Sequence, residues 1–511
     1  MHDPNPFFEL PYESPLAALG DDFYDCVRPA TFPQSLLRFR NNDLLPLLGL
    51  APKAITDRHF TEAFGQFKGQ QLGGQPEKPS QRQLEKQPQR PPKQSPSGLA
   101  LRYHGYQFGQ YNPYLGDGRG FLYGQVRAVT GQLLDLGTKG SGQTPHSQGR
   151  DGRMSLLGGA REVLAAEALH RLGIPTCRVL SLIETGEALE RADEPARAAV
   201  MVRLSRSHIR FGSFERLDYF DRPDLIRQLL DYVIWHYYGH LWSSADRDMR
   251  FYAELVQRTA ELVAQWMAAG FCHGVLNTDN MSIVGEGFDY GPYAFIDTYS
   301  PYFTAASFDR WGRYSYRNQP SICRWNLEML QRPLARVMPK EPMEGALGLF
   351  TEQYDRAYHQ AMLYKLGFAS LPPEDADALT HLTLEVLFMT QIGYHRFFQE
   401  LQRQFSALWR EDPTAVLSDL SFLESAEQAL ALKPWQVLYH RLLQQQPETE
   451  MAAICQRLKR YNPATVLSQG AIASVWAAIE QADDWQAFSD LISKLHDLEL
   501  PTGSSRASQG V

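Results

Sequence analysis

The stretch from Phe271 to Asp297 carries oxygen-bearing side chains at a spacing suited to phosphate chemistry. Asn280 follows His273 by seven residues, and Asp289, in an Asp-Tyr-Gly triplet, follows Asn280 by nine. Magnesium, which neutralises a triphosphate during phosphoryl or nucleotidyl transfer, prefers oxygen ligands that are held rigidly. Asn, Asp and Gly also dominate ordinary turns, so either motif alone indicates a turn more often than a site.

The order of these motifs resembles that of a protein kinase, in which an Asn ends the catalytic loop and an Asp-Phe-Gly triplet follows. Both come in that order here, directly after a helical pattern that stops at Gly270. Together they favour a nucleotide site over two unrelated turns. The kinase's catalytic Asp, two residues after the His, is replaced by Val275. The pattern therefore predicts an ATP site and leaves open whether the chemistry is phosphorylation.

A lysine and a glutamate further upstream fit the pair with which a kinase holds phosphates. Lys139 lies between Gly137 and Gly140, where the backbone can approach a ligand closely. Glu162 falls on the first turn of the next predicted helix and could orient that lysine. The alternative is that both charges lie on a solvated face.

Two more segments could bind anions. Where a glycine-rich segment enters a predicted strand, the amides of Gly116 and Gly118, with the charge of Arg119, could cradle phosphate oxygens, although a plain hairpin turn is the alternative. Further on, three arginines within eight residues are flanked by apolar groups, which favours anion binding because guanidinium matches phosphate geometry. These arginines are Arg203, Arg206 and Arg210.

The elements that must position these residues change along the chain. Short β-type runs and Gly-rich turns, interrupted by one clear helix, give way to a mainly helical pattern at about residue 220, which predicts an α+β protein with a smaller β-rich N-lobe and a larger helical C-lobe. The predicted boundaries are an N-terminal segment at 1–68 with helix-like clusters such as 35–50, a disordered Gln/Pro-rich linker or insertion at 69–98, the N-lobe at 99–210, the C-lobe at 211–410 and a helical C-terminal extension at 411–511.

Composition narrows the class of protein. The chain has 511 residues, 43% hydrophobic content and a net charge of −8, which is ample for a packed core and shows no basic stripe for nucleic acid. We find no signal peptide and no apolar run of about 18 residues, which predicts a cytoplasmic protein without a membrane partner. The five cysteines are scattered, as is typical of reduced thiols rather than disulfides or zinc ligands.

Six segments between about residues 103 and 330 resemble, in order, those of the selenoprotein O (SelO) family of adenylyltransferase pseudokinases. They are YHGYQFGQYNPYLGDGRGFLYGQ, KGSGQTPHSQGRDGR, REVLAAEALHRLGIPT, MVRLSRSHIRFGSFE, HGVLNTDNMSIVGEGFDYGPYAFIDTYSP and GRYSYRNQPSICRWNLEML. The resemblance implies a two-lobed protein-kinase-like fold that binds ATP turned end for end. AMP would then pass to a Ser, Thr or Tyr hydroxyl of a protein, and pyrophosphate would leave.

The resemblance also implies roles for single residues. Asp279 resembles the family's proposed base, and Asn280 and Asp289 resemble its ligands for Mg²⁺, with Mn²⁺ as an alternative ion. Lys139, oriented by Glu162, would hold the triphosphate. The other nucleotide-contacting positions of the family fall on Gly116, Gly118, Arg119, Asp151, Gly152, Arg203 and Arg210. ATP and hydroxyl-bearing protein substrates, the protein itself among them, are the implied partners.

Three other functions stay open at this level. A phosphotransferase on the same fold would use Asp279 as base and transfer the γ-phosphate. A non-catalytic scaffold would keep Lys139 and the arginines without needing Asp279. A metal hydrolase would need clustered His or carboxylates, and the histidines of this chain show no H-E-x-x-H or similar spacing.

Overall fold

The computed structural model describes residues 4–71, 98–190 and 196–498, and it shows a mixed α/β protein built on a large antiparallel sheet. The strands are β1 Tyr12–Glu13, β2 Tyr24–Val27, β3 Leu36–Arg40, β4 Gly98–Leu101, β5 Gly105–Gln107, β6 Gln110–Asn112, β7 Leu122–Arg127, β8 Leu133–Lys139, β9 Met154–Ser155, β10 Arg178–Leu189, β11 Ala196–Ser205, β12 Phe271–Cys272 and β13 Ala294–Phe295. The α-helices are α1 Asp57–Phe60, α2 Lys68–Gln71, α3 Leu156–Arg171, α4 Phe211–Tyr219, α5 Pro223–Tyr237, α6 Arg247–Ala268, α7 Gln319–Leu334, α8 Lys340–Gly348, α9 Phe350–Lys365, α10 Pro373–Thr390, α11 Tyr394–Gln404, α12 Ala426–Gln444, α13 Met451–Tyr461, α14 Gln469–Ala482 and α15 Gln486–His496.

Nine of the described strands form one sheet, in the order β2-β4-β7-β8-β11-β10-β3, with β1 added to β7 and β9 to β11. Strands β2 and β3 lie at the two ends of this order. The N-terminal segment therefore contributes both ends of the sheet whose centre comes from the predicted N-lobe. The change from strands to helices along the chain agrees with the sequence pattern.

The helix-like interpretation of residues 35–50 was wrong. Leu36–Arg40 is strand β3, paired with β10 through Leu37 and Phe39, and two short 3₁₀ turns follow it. Pro46 begins the second of these turns, and proline cannot continue a helix because it lacks the N–H and clashes with the preceding turn. Pairing with a long neighbouring strand has overridden a local apolar pattern that does not separate the two states.

The predicted linker is described only at its ends. Residues 69–71 lie in helix α2 and Gly98 begins strand β4, whereas 72–97 lie outside the described residues. Residues 499–511 of the predicted C-terminal extension also lie outside them.

Strand alternation gives the sheet two apolar faces. On β11, Val200 and Val202 pack into a core with the N-terminal segment, whereas Ala199 and Met201 pack into a core with α3 and the helices α4 to α6. Because side chains two residues apart share a face, Arg203 points to the same side as Met201. The sheet therefore directs this arginine towards α3.

The helical part of the chain has its own packing. The predicted face of α6, with Leu255, Leu262 and Trp266, is buried, and Gly270 follows the helix at a positive φ of 68°. A separate core joins helices α9 to α13. Among the described helices, none is both long enough and apolar enough to span a bilayer.

Candidate active site

Two cations of the site come from adjacent strands. In the β8–β11 register, Lys139 is opposite Met201, and Arg203 is opposite Gly137. Lys139 and Arg203 are therefore diagonal neighbours on the face of the sheet that α3 covers. Lys139 is only 6% exposed, so its alternative placement on a solvated face is wrong.

Helix α3 supplies the partner of Lys139. The helix begins at Leu156, with Ser155 as its N-cap, so Glu162 lies in the second turn and not in the first as predicted. The two glycines that follow the cap are helical, and Gly159 lets the helix approach β10, since a Cβ there would lie 2.5 Å from a Leu182 methyl group. Glu162 is buried and accepts a hydrogen bond from the Lys139 ammonium.

The loop between β12 and β13 carries Asp279, Asn280 and Asp289. Phe271 and Phe295 pair in the hairpin that closes it. The loop is also bonded to the β11–α4 connection, because the Phe211 N–H donates to the Met281 carbonyl at 3.0 Å and the Ile283 N–H donates to the Ile209 carbonyl at 3.1 Å. These backbone bonds fix the loop against the strand that carries Arg203.

Three cations converge on the Asp289 carboxylate. Lys139 Nζ lies 2.9 Å and Arg203 Nη1 2.5 Å from Oδ1, and Arg210 Nη1 lies 2.6 Å from Oδ2. Burial alone would raise the pKa of Asp289, but the charges of Lys139, Arg203 and Arg210 outweigh it and hold this pKa well below its usual range. Asp289 has a left-handed backbone, with φ of 59°, a conformation that Asp tolerates better than most residues.

Both arginines keep a donor without an acceptor. The Nε atoms of Arg203 and Arg210 are buried and have no hydrogen-bond partner among the described residues. The Arg210 guanidinium lies between the rings of Tyr103 and Phe288, at 4.6 and 4.7 Å from their centroids. Unsatisfied buried donors are costly, and an additional anion could satisfy those of this cluster.

Asp279 lies beside the cluster and is buried. Its backbone carbonyl accepts from Arg210 Nη1 at 2.6 Å, and its buried Oδ1 has no partner among the described residues. A Cβ at Gly105 would lie 2.9 Å from this Oδ1. Burial raises the pKa of Asp279 to about 6, against the opposing effect of Arg210. Near neutral pH the carboxylate is largely ionised and can accept a proton.

Asn280 and Asp289, the predicted metal ligands, carry side-chain oxygens of the kind that suits a hard cation. Asn280 Nδ2 donates to the Val275 carbonyl at 3.0 Å, which fixes the amide and leaves its oxygen for another partner. Carboxylate and amide oxygens fit Mg²⁺. No group of three or more His, Cys, Asp or Glu residues suited to a metal occurs in the described parts of the chain, so the metal hydrolase gains no support. Val275 packs against the core, and its side chain has no group that could act as an acid or a base.

The glycine-rich segment lies next to Lys139. The Arg119 carbonyl accepts from the N–H of Gly140, the residue after Lys139, at 2.6 Å, while the Arg119 side chain is exposed. Gly116, with φ of 152°, lies against the His146 ring, and the Gly118 carbonyl accepts from Ser147 Oγ at 2.6 Å.

The predicted contacts at Asp151 and Gly152 lie further along the same loop. The Gly152 carbonyl accepts from the Gly142 N–H at 3.2 Å, and a Cβ at Gly152 would lie 2.3 Å from the Gly142 carbonyl carbon. Asp151 is exposed and accepts from the Arg153 N–H. The structure thus places Gly152 close to the β8 end and Asp151 on the outer side of this loop.

Arg206 does not join the cluster. Its Nε lies 3.8 Å from the buried carboxylate of Glu286, and its Nη2 donates to the Tyr237 carbonyl at 3.3 Å. Its side chain therefore has partners that differ from those of Arg203 and Arg210.

Sequence reasoning missed two acidic residues at the site. Glu215, on the buried face of α4, accepts from Thr278 Oγ1 at 2.8 Å, and burial raises its pKa to about 8. Asp117 lies 3.7 Å from Arg210 Nη2. A carboxylate among the apolar residues of α4 was the available signal for Glu215, and the flanking glycines were the signal for Asp117.

Comparison with known proteins gives the class and then the family. A family model described as "Protein adenylyltransferase SelO" matches residues 6–496. Proteins named "Protein nucleotidyltransferase YdiU" are similar along almost the whole chain: that of Trichormus variabilis is 54% identical over 96% of this chain and 97% of the relative, and that of Gloeobacter violaceus is 54% identical over 96% of each. The one from Azotobacter vinelandii is 39% identical over 77% of this chain and 76% of the relative.

These matches define the protein as an enzyme, a protein nucleotidyltransferase that uses a nucleotide substrate. The chain belongs to the SelO family.

Proposed function

We propose that this enzyme transfers AMP from ATP to Ser, Thr or Tyr hydroxyls of proteins. The observation that carries the nucleotide site is the pair of buried Nε donors on Arg203 and Arg210, next to Lys139, which have no hydrogen-bond partner in the described parts of the chain. Donors of this kind match phosphate oxygens. Membership of a family described as protein adenylyltransferases supports AMP as the transferred group.

In this proposal Asp289 occupies an anionic position that phosphate oxygens take over. ATP carries about four negative charges, and a buried site needs cations to match them. Lys139, Arg203 and Arg210 all contact Asp289 in the structure. When ATP binds, these cations turn to the triphosphate and the Asp289 oxygens become free.

Asn280 and Asp289 would then hold Mg²⁺, or Mn²⁺, since the amide and carboxylate oxygens present fit a hard cation. The ion supplies charge neutralisation on the phosphates when it is bound. Glu162 keeps Lys139 in place, and Gly116, Gly118, Arg119, Asp151 and Gly152 are proposed to contact the nucleotide from the adjoining loops.

Asp279 is the proposed general base. The acceptor hydroxyl oxygen forms a bond to the α-phosphorus, the bond from that phosphorus to the bridging oxygen breaks, and pyrophosphate leaves with the electron pair. The hydroxyl proton passes to Asp279, whose raised pKa of about 6 suits a base that works near neutral pH. This requires ATP to lie inverted relative to kinases, with the α-phosphate towards Asp279 and the γ-phosphate deeper.

We further propose that the sheet with α3 and the helical part act as two kinase-like lobes. Lys139 and Arg203 come from the sheet, whereas Asp279 and Asp289 come from the loop that follows α6. A site assembled from both parts is what such an arrangement needs. The five unpaired cysteines accord with a reducing compartment, and we place the reaction in the cytoplasm.

Intact-mass spectrometry after incubation with ATP and Mg²⁺ tests the function, using wild-type protein, Asp289→Ala and a hydroxyl-bearing acceptor protein. We expect adducts of one AMP on wild-type protein or acceptor and none with Asp289→Ala. Adducts of one phosphate would establish the phosphotransferase instead. ATP binding without any adduct on protein or acceptor would favour the scaffold.

A further inference from the structure

A cavity lies apart from the residues of the proposed nucleotide site. Its volume is about 480 Å³, and it is enclosed by the C-terminal end of α3, by α6, α9 and α11, and by the chain that follows α13. None of the residues placed in the nucleotide site lines it. This volume is in the range of sites for small metabolites.

A buried ammonium group without a carboxylate partner among the described residues lies in the wall of the cavity. Lys365, at the end of α9, is 8% exposed, and its Nζ lies 4.2 Å from the Phe398 ring centroid and 3.5 Å from the Tyr461 carbonyl oxygen. No carboxylate pairs with it among the described residues. Burial lowers the pKa of Lys365 to about 7. A buried cation without a counter-ion is costly, so an anion bound beside Lys365 would offset that cost.

Three other polar atoms at the cavity lack partners. His395 Nε2, Gln265 Oε1 and Gln353 Oε1 are buried without a hydrogen-bond partner among the described residues. The two amide oxygens can accept from hydroxyl or amine donors. Water could satisfy them in part, but water does not neutralise the charge of Lys365.

The other residues that line the cavity include more basic than acidic side chains, together with several apolar ones. Arg356 and Arg460 also line the cavity, and among its described lining residues Glu261 is the single acidic one, already bonded by the Gln257 amide at 2.8 Å. The apolar walls are formed mainly by Ala168, Leu172, Ile174, Phe295, Val466 and Leu467.

We propose that this cavity binds a small organic anion that carries hydroxyl groups on a short carbon skeleton. Lys365 would be its counter-ion, and the amide oxygens of Gln265 and Gln353 would accept hydrogen bonds from its hydroxyl groups. A carboxylate and a phosphate monoester share this chemistry. The site is separate from ATP binding, and the proposal does not depend on AMP transfer.

The test is ligand-observed NMR titration of the full chain with three probes: 3-hydroxybutyrate, glycerol 3-phosphate and the neutral 3-hydroxybutyramide. We expect at least one of the two anions to bind with a dissociation constant of about 1 mM or tighter, and the amide to bind about ten- to a hundredfold more weakly. Which anion binds distinguishes carboxylate from phosphate. The absence of binding by both anions up to about 10 mM would overturn the proposal.

Variants locate the binding. Lys365→Met keeps the apolar stem and removes the charge, and Ala361→Leu fills the cavity from α9. Both should fold, as judged by cooperative unfolding, and both should reduce anion binding at least about tenfold. Lys139→Met, a change in the nucleotide site, should leave it unchanged. Anion binding that persists in Lys365→Met and is lost in Lys139→Met would assign the signal to the nucleotide site and contradict the proposal.

Discussion

At the scale of single residues, the site is organised by one carboxylate among cations. Asp289 forms ion pairs with Lys139, Arg203 and Arg210. The Nε atoms of both arginines have no hydrogen-bond partner among the described residues. Internal pairing of this kind keeps buried cations compensated until a ligand with more negative charge replaces it. The pairing with Asp289 thus offsets part of the cost of burying these cations.

Loss of one of these cations should weaken nucleotide binding. In Lys139→Met and Arg203→Ala we expect ATP affinity, measured by calorimetry with Mg²⁺, to fall about ten- to a hundredfold, because each charge-assisted contact contributes about 1.5–3 kcal/mol. Lys139→Met should also unfold at lower temperature, since it leaves the buried carboxylate of Glu162 without its cation.

Arg206→Ala is the matched control. It should lower stability, because Glu286 loses its ion pair, while ATP affinity stays within about twofold of wild type. A large loss of affinity at Arg206 with none at Arg203 would show that the wrong face of this segment was assigned.

Glu215 should make stability depend on pH. Its pKa is raised to about 8, so the folded state favours the protonated form; the stability that this form contributes is complete below about pH 4 and is lost as pH rises through about 8. Glu215→Gln mimics the protonated form and should be more stable than wild type at pH 8, by about 4 kcal/mol, with the difference shrinking towards pH 5. Denaturant unfolding across this range measures it; a glutamine variant that is less stable at pH 8 would contradict the assignment.

The order of the motifs in the sequence indicated candidate residues for this site, but it did not indicate which of them contact one another. Lys139 and Glu162 were predicted as a pair, and the pair is present. That Arg203 and Arg210 would both contact Asp289 could not be predicted, because strand register and loop docking set those distances. Glu215 was missed since a lone glutamate on a short helix has no spacing signal.

At the scale of elements, close approach between backbone segments positions the proposed base. Strand β5 passes Asp279 at Gly105, where any side chain would collide with the carboxylate. The Tyr106 N–H also donates to Thr278 Oγ1 at 2.7 Å, which holds the β5–β6 hairpin to the loop between β12 and β13.

Gly105→Ala should therefore impair transfer selectively. The new methyl group would lie within 3.0 Å of Asp279 atoms and displace that side chain, and a displacement of about 1 Å can cost about a hundredfold in rate. We expect AMP transfer to fall by at least about tenfold while ATP affinity changes little. Gly345→Ala on α8, where a Cβ meets nothing within 4 Å, is the control and should keep wild-type transfer. Equal transfer in both variants would remove Asp279 from this role.

Helices were easier to predict than their starts or the edge strands. The period of α6 and its stop at Gly270 were correct, since both depend on local sequence. The start of α3 was placed too late because Gly158 and Gly159 are weak helix formers that packing against β10 retains. Strand β3 was taken for helix since its pairing with β10 is long-range.

At the scale of the whole molecule, the C-terminal helix α15 packs against the sheet and against α3. Phe488 of α15 packs edge-on against Phe39 of β3, and His496 Nε2 lies 2.9 Å from the buried Glu167 carboxylate on α3. The helix that carries Glu162 is thus held between the sheet and the C-terminal end of the described chain.

Phe488→Ala should destabilise the entire protein. Phe488 is 1% exposed, and removing a buried phenyl ring typically costs about 3–5 kcal/mol. In calorimetry we expect the main unfolding transition to move to lower temperature as a whole, whereas Leu430→Ala, at a 65% exposed position, should not move it. An early separate transition with the main one unchanged would show that α15 is an independent unit.

Global architecture was only partly predictable. The sequence indicated a β-rich half before a helical half, and the structure has that order. It did not indicate that the first 40 residues supply strands at both ends of the sheet, because β2 and β3 pair with partners far along the chain.

The most direct test of AMP transfer uses ATP labelled at the α- or the γ-phosphate, with wild-type protein, Asp279→Asn and Val275→Asp. We predict α-label on protein and γ-label released as pyrophosphate for the wild type, and no α-label on protein for Asp279→Asn. Val275→Asp, which restores the residue of a kinase, should not transfer γ-label, because the α-phosphorus still faces the acceptor. Stable γ-label on protein without α-label, in the wild type, would contradict the account and show that ATP binds in the ordinary kinase direction.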